Sequence, residues 1–184
     1  MSDVVIVDYG AGNTRSVRAT LHRLGITTVV TNNPLSIYDA HQVILPGVGS
    51  ARSAMAVLRE SGAADALRRR FKNEKFTLGI CLGMQLALEH TDEDDGVATL
   101  GLIEGHVRRV EGCMVPRLGW SLVEPWNEAF YFAHSFEAIS PHTTATAEGV
   151  AAVCEYGSFT GVQFHPEKSG LVGERWLAAC LSAA

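Results

Sequence analysis

The sequence predicts an α/β protein: an open, mostly parallel sheet with helices on both faces, plus a small antiparallel sheet. Short apolar runs, of which Val4–Val7 is the clearest, alternate with amphipathic segments over the first hundred residues. Strands that are apolar on both faces are typical of parallel sheets buried between helix layers. After Gly101 the strand-like segments are closely spaced and separated by turns, which indicates antiparallel pairing.

Each expected element has a local reason. Helices are predicted where apolar residues recur on one face, as Val17, Leu21 and Leu24 do, and where a glycine or a turn ends the pattern. These segments are 14–24, 51–59, 63–71, 82–89 and 171–183. Strands are predicted at the β-branched and apolar runs 4–7, 28–30, 42–45, 76–80, 106–110, 113–115, 130–134, 144–147, 151–155 and 159–164. Residues 32–34 read as a turn. Without repeats or low-complexity linkers, residues 1–184 are expected to form a single domain.

The composition excludes several classes of function. The chain has 184 residues, 47% of them hydrophobic, and a net charge of −5 with no long basic run. We therefore expect a globular protein that does not bind nucleic acid, and we expect residues 68–70 (three arginines) to form a solvated helix face. No apolar run reaches the roughly 20 residues of a membrane span. Lacking an export signal, the protein is expected to be cytoplasmic, with its four cysteines as reduced thiols.

The segment 76–85, FTLGICLGMQ, has the spacing of a nucleophile elbow. Cys81 is flanked two residues away on each side by Gly79 and Gly83, between an apolar strand and a helix start. Such a turn presents the sulfur above the sheet and places a helix N-terminus beneath it, which favours the thiolate. The alternative interpretation is a buried structural cysteine between loop glycines.

Three loops resemble ligand sites without meeting their requirements. The pair Gly10 and Gly12 is not followed by a third glycine, because Arg15 occupies that position, so a dinucleotide site is not supported. The loop 46–50, PGVGS, lacks the lysine of a phosphate-binding loop; it is either a plain strand–helix turn or a turn that directs backbone N–H groups outward. The loop 92–95 is expected to be solvated, without the carboxylate spacing of a calcium loop.

A cysteine nucleophile requires a base, and His165 is the best candidate among seven histidines. His165 follows the predicted strand, and an open α/β sheet places its active site at the carboxyl ends of strands. Pro166 makes the connection rigid, and the carboxylate of Glu167 is close enough in sequence to orient the imidazole.

With these residues the chain resembles the class I glutamine amidotransferases, through the blocks GICLGMQ and GVQFHPEKSG. The further blocks VDYGAGNTRSV, LPGVGS and YFAHSF resemble the HisH-type glutaminase subunit of imidazole glycerol phosphate synthase. The likeness covers nearly the whole chain. It implies a flavodoxin-like fold, no cofactor, no metal, and hydrolysis of glutamine to glutamate and ammonia.

The resemblance also implies roles for individual residues. The catalytic set would be Cys81 as nucleophile, His165 as acid and base, and Glu167 as the group that orients His165. The remaining implied positions are the oxyanion donors Leu82, Val48 and Gly49, the substrate-binding residues Gln85, Ser135 and Gly47, and the partner or gate residues Asn13, Tyr131 and Lys168.

The implied partner is a (β/α)₈ cyclase of the HisF type, which would receive the ammonia within a heterodimer and make imidazole glycerol phosphate. The chain departs from the family pattern at residues 117–121, RLGWS, where the family has a histidine at 117 and an asparagine at 121, and the segment between Trp120 and Tyr131 is short. Two alternatives therefore remain at this stage: a glutaminase that feeds another synthase, such as one making a modified sugar, or a subunit that binds without turnover.

Overall fold

The computed structural model describes residues 4–10, 12–111 and 114–183. Its strands, numbered in chain order, are β1 Val4–Val7, β2 Thr28–Thr31, β3 Gln42–Leu45, β4 Thr77–Ile80, β5 His90–Thr91, β6 Val97–Ala98, β7 His106–Arg109, β8 Arg117–Val123, β9 Glu128–His134, β10 Phe136–Ile139, β11 Thr143–Ala147, β12 Val150–Tyr156 and β13 Phe159–Val162. The α-helices are α1 Thr14–Arg23, α2 Pro34–Asp39, α3 Ala51–Glu60, α4 Ala63–Lys72, α5 Leu82–Ala87 and α6 Gly170–Ser182. Short 3₁₀ turns cover Glu93–Asp95 and Pro166–Lys168.

The main sheet has seven strands in the order β11-β12-β13-β4-β3-β1-β2. The five strands from β13 to β2 pair in parallel, while β11 and β12 extend one edge antiparallel. A smaller four-stranded sheet has the order β10-β7-β5-β6, and β8 and β9 form a separate hairpin. This arrangement confirms the predicted α/β class, with a mostly parallel sheet and a smaller, largely antiparallel one.

The two faces of the main sheet bury separate apolar cores. Alternate side chains of β1 point to opposite faces, so that Val4 and Ile6 belong to one core and Val5 and Val7 to the other. The first core contains residues of α1 and α6, and the second contains residues of α2, α3, α4 and α5. Helices therefore cover both faces, as the continuous apolar strands predicted.

Several local predictions were wrong or incomplete. Asn33 is the N-cap of α2, a helix that the sequence analysis missed, and its Oδ1 accepts from the N–H groups of Leu35 and Ser36. Residues 114–115 are not a strand, and Cys113 lies outside the described residues. The sequence analysis missed strand β8, although Leu118, Trp120 and Leu122 alternate along it; these apolar side chains are exposed rather than buried.

Arg70 corrects the prediction that residues 68–70 form a solvated face. Its side chain is fully buried. The guanidinium donates to the carbonyl oxygens of residues 37, 38, 40, 41 and 76 at 2.6–3.3 Å, and it contacts Thr77 Oγ1 at 3.4 Å. Burial lowers the pKa of Arg70 to about 10, which still leaves it charged at neutral pH. Arg70 thus ties α4 to the segment after α2 and to the start of β4.

We predict that Arg70→Met lowers the free energy of unfolding by about 3–5 kcal/mol, because the carbonyl oxygens around the guanidinium lose their donors in a buried site. Urea unfolding followed by circular dichroism measures this change. Arg18→Met, at an exposed position of α1, is the control and should change stability by less than about 0.5 kcal/mol. Equal stability of the two variants would contradict the role given to Arg70.

Candidate active site

Cys81 lies at a sharp turn between β4 and α5. Its backbone has φ 51° and ψ −108°, a conformation that non-glycine residues rarely adopt. The Cys81 N–H donates to the carbonyl oxygen of Val162 on the neighbouring strand β13 over 2.6 Å. The turn therefore continues the sheet pairing up to Cys81 and then reverses direction, as an elbow does.

The glycines on each side of Cys81 are required by close backbone contacts. A Cβ atom on Gly83 would lie 1.9 Å from the carbonyl oxygen of Leu45, at the end of β3. A Cβ on Gly79 would lie 2.7 Å from the carbonyl oxygen of Gly83, and one on Gly47 would lie 2.1 Å from the carbonyl oxygen of Ile80. The elbow and the loop that follows β3 are thus packed backbone against backbone.

A pocket of about 230 Å³ opens at this point. It is lined by seven of the residues predicted from the sequence: Gly47, Val48, Gly49, Cys81, Leu82, Gln85 and Ser135. The thiol is 6% exposed and lies at the pocket wall, so Cys81 is close to the interior but reachable from the pocket. The structure therefore brings together the residues predicted as nucleophile, oxyanion donors and substrate contacts.

His165 and Glu167 form a buried pair beside this pocket. The Nδ1 atom of His165 lies 2.9 Å from Glu167 Oε1, and both side chains are almost inaccessible to solvent. The His165 N–H donates to the carbonyl oxygen of Tyr131, and the His165 carbonyl accepts from Ser169 Oγ over 2.7 Å. Backbone and ring of His165 are therefore both held in place.

The surroundings of His165, including Cys81, change the pKa of its ring. Burial by itself would lower the pKa of His165, but hydrogen bonding and negative charge from Cys81 and Glu167 outweigh burial and raise the pKa to about 9. The Nε2 atom forms no well-aligned hydrogen bond among the described residues, so the contact with the sulfur is looser than a formed hydrogen bond. Nucleophile–base contacts are often loose in the absence of substrate.

Three further residues surround the sulfur or the pocket, and the sequence analysis missed them. Gln163 is fully buried, and its Nε2 donates to Cys81 Sγ over 3.4 Å. His134 lines the pocket; its Nδ1 lies 2.8 Å from the Phe136 carbonyl oxygen, and burial lowers its pKa to about 4, so the ring is neutral at pH 7. Glu93 also lines the pocket, and mainly burial raises its pKa.

Of these residues, Gln163 and His134 had a sequence signal, because they lie inside the blocks GVQFHPEKSG and YFAHSF. Glu93 had none, since the loop 92–95 was expected to be solvated. That expectation holds for Asp92 and Asp95, which are exposed, but it was incomplete for Glu93 and Asp94, which are half-buried and accept hydrogen bonds from α3.

Gln85 is one helical turn beyond Cys81 and is held by two acceptors. Its Nε2 donates to Gln163 Oε1 over 2.9 Å and to the carbonyl oxygen of Phe136 over 3.1 Å. A buried chain of side chains thus runs from Gln85 through Gln163 to the sulfur of Cys81. The Oε1 atom of Gln85 is the end of this side chain that remains able to accept from a ligand.

The residues predicted at the partner interface lie on one side of the site. Asn13 Nδ2 donates to Glu167 Oε1 over 3.3 Å, which places Asn13 against the buried pair. Lys168 Nζ lies 6.0 Å from the centre of the Tyr131 ring. On the neighbouring strand, Trp120 packs edge-on against Tyr131.

The two residues that depart from the family pattern, Arg117 and Ser121, both contact Glu148. Arg117 Nη2 donates to Glu148 Oε2 over 3.0 Å, and Ser121 Oγ donates to Glu148 Oε1 over 2.9 Å. Both contacts attach β8 to the turn between β11 and β12. The short segment before Tyr131 is a tight connection, in which Val123 pairs directly with Glu128.

The two other cysteines among the described residues do not line the pocket. Cys154 is buried and Cys180 is half-buried, both are free thiols, and burial raises the pKa of each, that of Cys180 to about 12. In the part of the chain that the structure describes, no group of three or more His, Cys, Asp or Glu side chains is arranged to hold a metal ion. None of the helices in those residues is long and apolar enough to cross a membrane.

Comparison with solved structures supports the fold. A crystal structure of a glutamine amidotransferase superimposes with a TM-score of 0.79 at 22% identity and covers 97% of each chain. A crystal structure of a glutamine amidotransferase from Thermotoga maritima gives a TM-score of 0.61 at 18% identity, covering 98% of this chain and 82% of that one. At these identities the likeness establishes the fold alone.

Comparison of sequences identifies the family. The model of the family "Glutamine amidotransferase class-I" matches residues 5–182. The chain is 38% identical to the imidazole glycerol phosphate synthase subunit HisH of Cutibacterium acnes, covering 96% of this chain and 98% of the relative. It is 40% identical to subunit HisH of Staphylococcus aureus, covering 92% of each. It is 39% identical to the chloroplastic imidazole glycerol phosphate synthase hisHF of Arabidopsis thaliana, covering 94% of this chain and 33% of that longer protein. The chain therefore belongs to the class I glutamine amidotransferase family.

Proposed function

We propose that this chain is the glutaminase subunit of an imidazole glycerol phosphate synthase and acts as one domain over residues 1–184. The observation that carries the proposal is a thiol on a strained, glycine-enclosed turn, open to a small pocket and backed by a buried histidine–glutamate pair. Similarity over nearly full length to HisH subunits supports the choice of reaction and pathway.

In the proposed reaction the thiol of Cys81 gives its proton to His165 Nε2, and the sulfur attacks the side-chain amide carbon of glutamine. A C–S bond forms, and the carbonyl π electrons move to oxygen. His165 then gives its Nε2 proton to the departing nitrogen, the C–N bond breaks, and ammonia leaves a glutamyl thioester. His165 next takes a proton from water, which attacks the thioester and releases glutamate and the thiol. Glu167 keeps Nδ1 protonated and the ring oriented, since its carboxylate accepts at that atom.

The oxyanion requires N–H donors aimed into the pocket. The candidates are the backbone N–H groups of Leu82, which begins α5, and of Val48 and Gly49 in the loop after β3. Such a donor is worth about 2.7–4 kcal/mol in other acyl-transfer enzymes. Because Gly49 has φ 114°, which favours glycine, the peptide joining Val48 and Gly49 has freedom to change its direction.

The amino-acid end of glutamine would be held by the other pocket residues. Gln85 offers its Oε1 atom to the ammonium group, and the carboxylate of Glu93 offers a negative charge at the same wall. Ser135 and Gly47 line the pocket where backbone groups can meet the substrate. These contacts would select glutamine over an amide that lacks the charged end.

A synthase subunit would dock on the exposed side of the β8–β9 hairpin. Leu118, Trp120 and Leu122 alternate along β8 and are 54–67% exposed, and their partners on β9 include Tyr131 and Ala133. This apolar face continues to the pocket, because Leu118 and Ala133 also line it. Exposed apolar surface of this kind marks an interaction site.

The proposed partner is a (β/α)₈ cyclase of the HisF type, in a heterodimer through which ammonia passes without entering bulk water. Channelling delivers neutral ammonia, the nucleophilic form, whereas free ammonia is mostly protonated at neutral pH. The hisHF name of the Arabidopsis thaliana relative is consistent with paired H and F functions in that protein. We expect Tyr131, Lys168 and Asn13 to contact this partner; Lys168 lies near the Tyr131 ring, and Asn13 is hydrogen-bonded to Glu167.

Replacing the proposed nucleophile separates glutamine hydrolysis from the synthesis that uses the ammonia. We predict that Cys81→Ala reduces glutamine-dependent synthesis by about 10⁴-fold or more in the complex, while synthesis from added ammonia is retained, because the synthase active site is untouched. Both rates are measured by product formation. Cys154→Ala is the matched control and should retain both. Loss of ammonia-dependent synthesis in Cys81→Ala would mean that Cys81 is structural.

Docking of the cyclase should control the rate at which this chain hydrolyses glutamine. The chain alone is expected to hydrolyse glutamine slowly, and the cyclase with its nucleotide ligand should raise the rate by on the order of 10²–10³-fold, the value of one oxyanion donor. Trp120→Ser should weaken both complex formation and this activation, since it removes exposed apolar area. Leu35→Ser, an exposed leucine on α2, should change neither. Equal rates with and without the cyclase would contradict the proposal.

The His165–Glu167 pair predicts a dependence of stability on pH. The folded-state pKa of His165 is about 9, above its ordinary value of about 6.5. Protonation therefore stabilises the fold fully below about pH 6.5, and this stabilisation is lost as the pH rises through 9. Glu167→Gln removes one charge that raises the pKa of His165. The free energy of unfolding of this variant should therefore fall less than that of the wild type between about pH 6 and pH 9. Glu174→Gln, at a surface ion pair with Arg23, should follow the wild type; a Glu167→Gln profile parallel to both would refute this interpretation.

A further inference from the structure

The loop that contains Glu93 and Asp94 caps α3, the helix that follows residues 46–50. The N–H of Ala51 donates to Glu93 Oε2 over 3.0 Å, and the N–H of Arg52 donates to Asp94 Oδ2 over 3.1 Å. Ser50 Oγ donates to the same Asp94 Oδ2 over 2.5 Å. The first N–H groups of a helix have no partners within the helix, and here two of them are satisfied by carboxylates from a distant loop.

These contacts fix one end of the segment that lines the pocket. The other end is fixed by Tyr9, whose hydroxyl donates to the carbonyl oxygen of Pro46. Between Pro46 and Ser50 lie the three residues that line the pocket, Gly47, Val48 and Gly49. Because each residue has only two soft dihedral angles, a shift of the anchor at Ser50 must be absorbed by these three residues. The direction of their N–H groups therefore depends on the anchor.

We propose that Asp94 is a positioning residue for glutamine hydrolysis. Its carboxylate holds Ser50 and the start of α3, and through them it sets the direction of the Val48 and Gly49 N–H groups toward the pocket. The inference rests on the proposed function, in which these groups stabilise the oxyanion. Asp94 is not one of the residues lining the pocket, whereas the adjacent Glu93 is. The same loop thus contacts both the substrate pocket and the anchor.

The ionisation and the hydrogen bonds of the Asp94 carboxyl group suit this role. The hydrogen bond from Ser50, followed by that from the Arg52 N–H, holds the pKa of Asp94 below its ordinary value, so the group is an acceptor at neutral pH. The Arg52 guanidinium also donates to the Asp94 backbone carbonyl. Asp94 has φ 57° and the adjacent Asp95 has φ 63°, a region in which glycine and asparagine are also tolerated.

This backbone geometry defines a matched set of variants. Asp94→Gly removes the carboxylate without backbone strain, and Asp94→Asn keeps a side-chain oxygen that can accept from Ser50 and Arg52. Asp95→Gly makes the same change at the exposed neighbouring position. In the complex with the synthase subunit, we expect Asp94→Gly to lower kcat for glutamine hydrolysis by about 10- to 100-fold with KM changed less than about threefold. Asp94→Asn should recover most of kcat, and Asp95→Gly should match the wild type.

Two measurements separate positioning from general damage. Alkylation of Cys81 by iodoacetamide, followed by mass spectrometry, forms no oxyanion, so Asp94→Gly should retain the wild-type rate. Amide hydrogen exchange at Ala51 and Arg52 should be faster in Asp94→Gly than in Asp95→Gly. Reduced kcat with unchanged alkylation and faster exchange supports the proposal.

Three results would overturn it: wild-type kcat in Asp94→Gly, a parallel loss of alkylation, or no recovery in Asp94→Asn. If the wild-type complex hydrolyses no glutamine, the proposed function fails. Amide hydrogen exchange would then still test whether Asp94 anchors the start of α3. Unchanged exchange at residues 51 and 52 in Asp94→Gly would disprove that anchoring.

Discussion

The contact on which the site depends is the packing of two backbone turns at the ends of adjacent strands. The turn at Cys81 and the loop after β3 approach so closely that Gly83 and Gly47 have no room for a Cβ atom. Because β3 and β4 are parallel neighbours, their carboxyl ends meet at one edge of the sheet. This contact brings Cys81 and residues 47–49 to the lining of one small pocket.

His165, the proposed base, is brought to Cys81 by the same sheet. β13 lies next to β4 on the side opposite β3, so the chain leaving β13 carries His165 to the elbow. Two supports then fix it: the Tyr131 carbonyl holds its backbone, and Glu167 holds its ring. Since β9 supplies Tyr131 and also the exposed face beside Trp120, the proposed docking surface is directly connected to the base.

Polar groups, buried at Gln85 and Gln163 and half-buried at Glu93 and Asp94, link the remaining parts of the site. Gln85, Gln163 and the sulfur form one hydrogen-bonded chain, and Asp94 and Glu93 join the pocket loop to α3. In an apolar interior an unmatched polar group costs about 1–3 kcal/mol, so such connections persist only when they are satisfied together. The pocket is therefore held by a network, and a change at one member is expected to reach its neighbours.

Sequence patterns predicted the α/β class, most helices and the main-sheet strands to within a few residues, because apolar periodicity and glycine requirements are local. The placement of Cys81 after a predicted strand, together with the resemblance to the family, also predicted seven of the residues that line the pocket. The sequence analysis predicted a turn at Asn33 and missed the short helix that this exposed residue caps. For Arg70 the solvated position was wrong and for Glu93 and Asp94 it was incomplete, because charged residues are expected at the surface unless their partners are known. Those partners are carbonyl oxygens and helix N–H groups.

The sequence by itself determined the fold class and the placement of Cys81 and His165 directly after strands, since apolar periodicity and short-range spacing suffice for both. The strand order, which sets β13 beside β4 and brings these residues together, was decided by the tertiary structure. Only the tertiary structure decided that Arg70 is buried, that Gln163 contacts the sulfur and that Asp94 anchors the pocket loop. The physical reason is that each of these depends on burial and hydrogen bonds contributed by elements that are brought together only by packing.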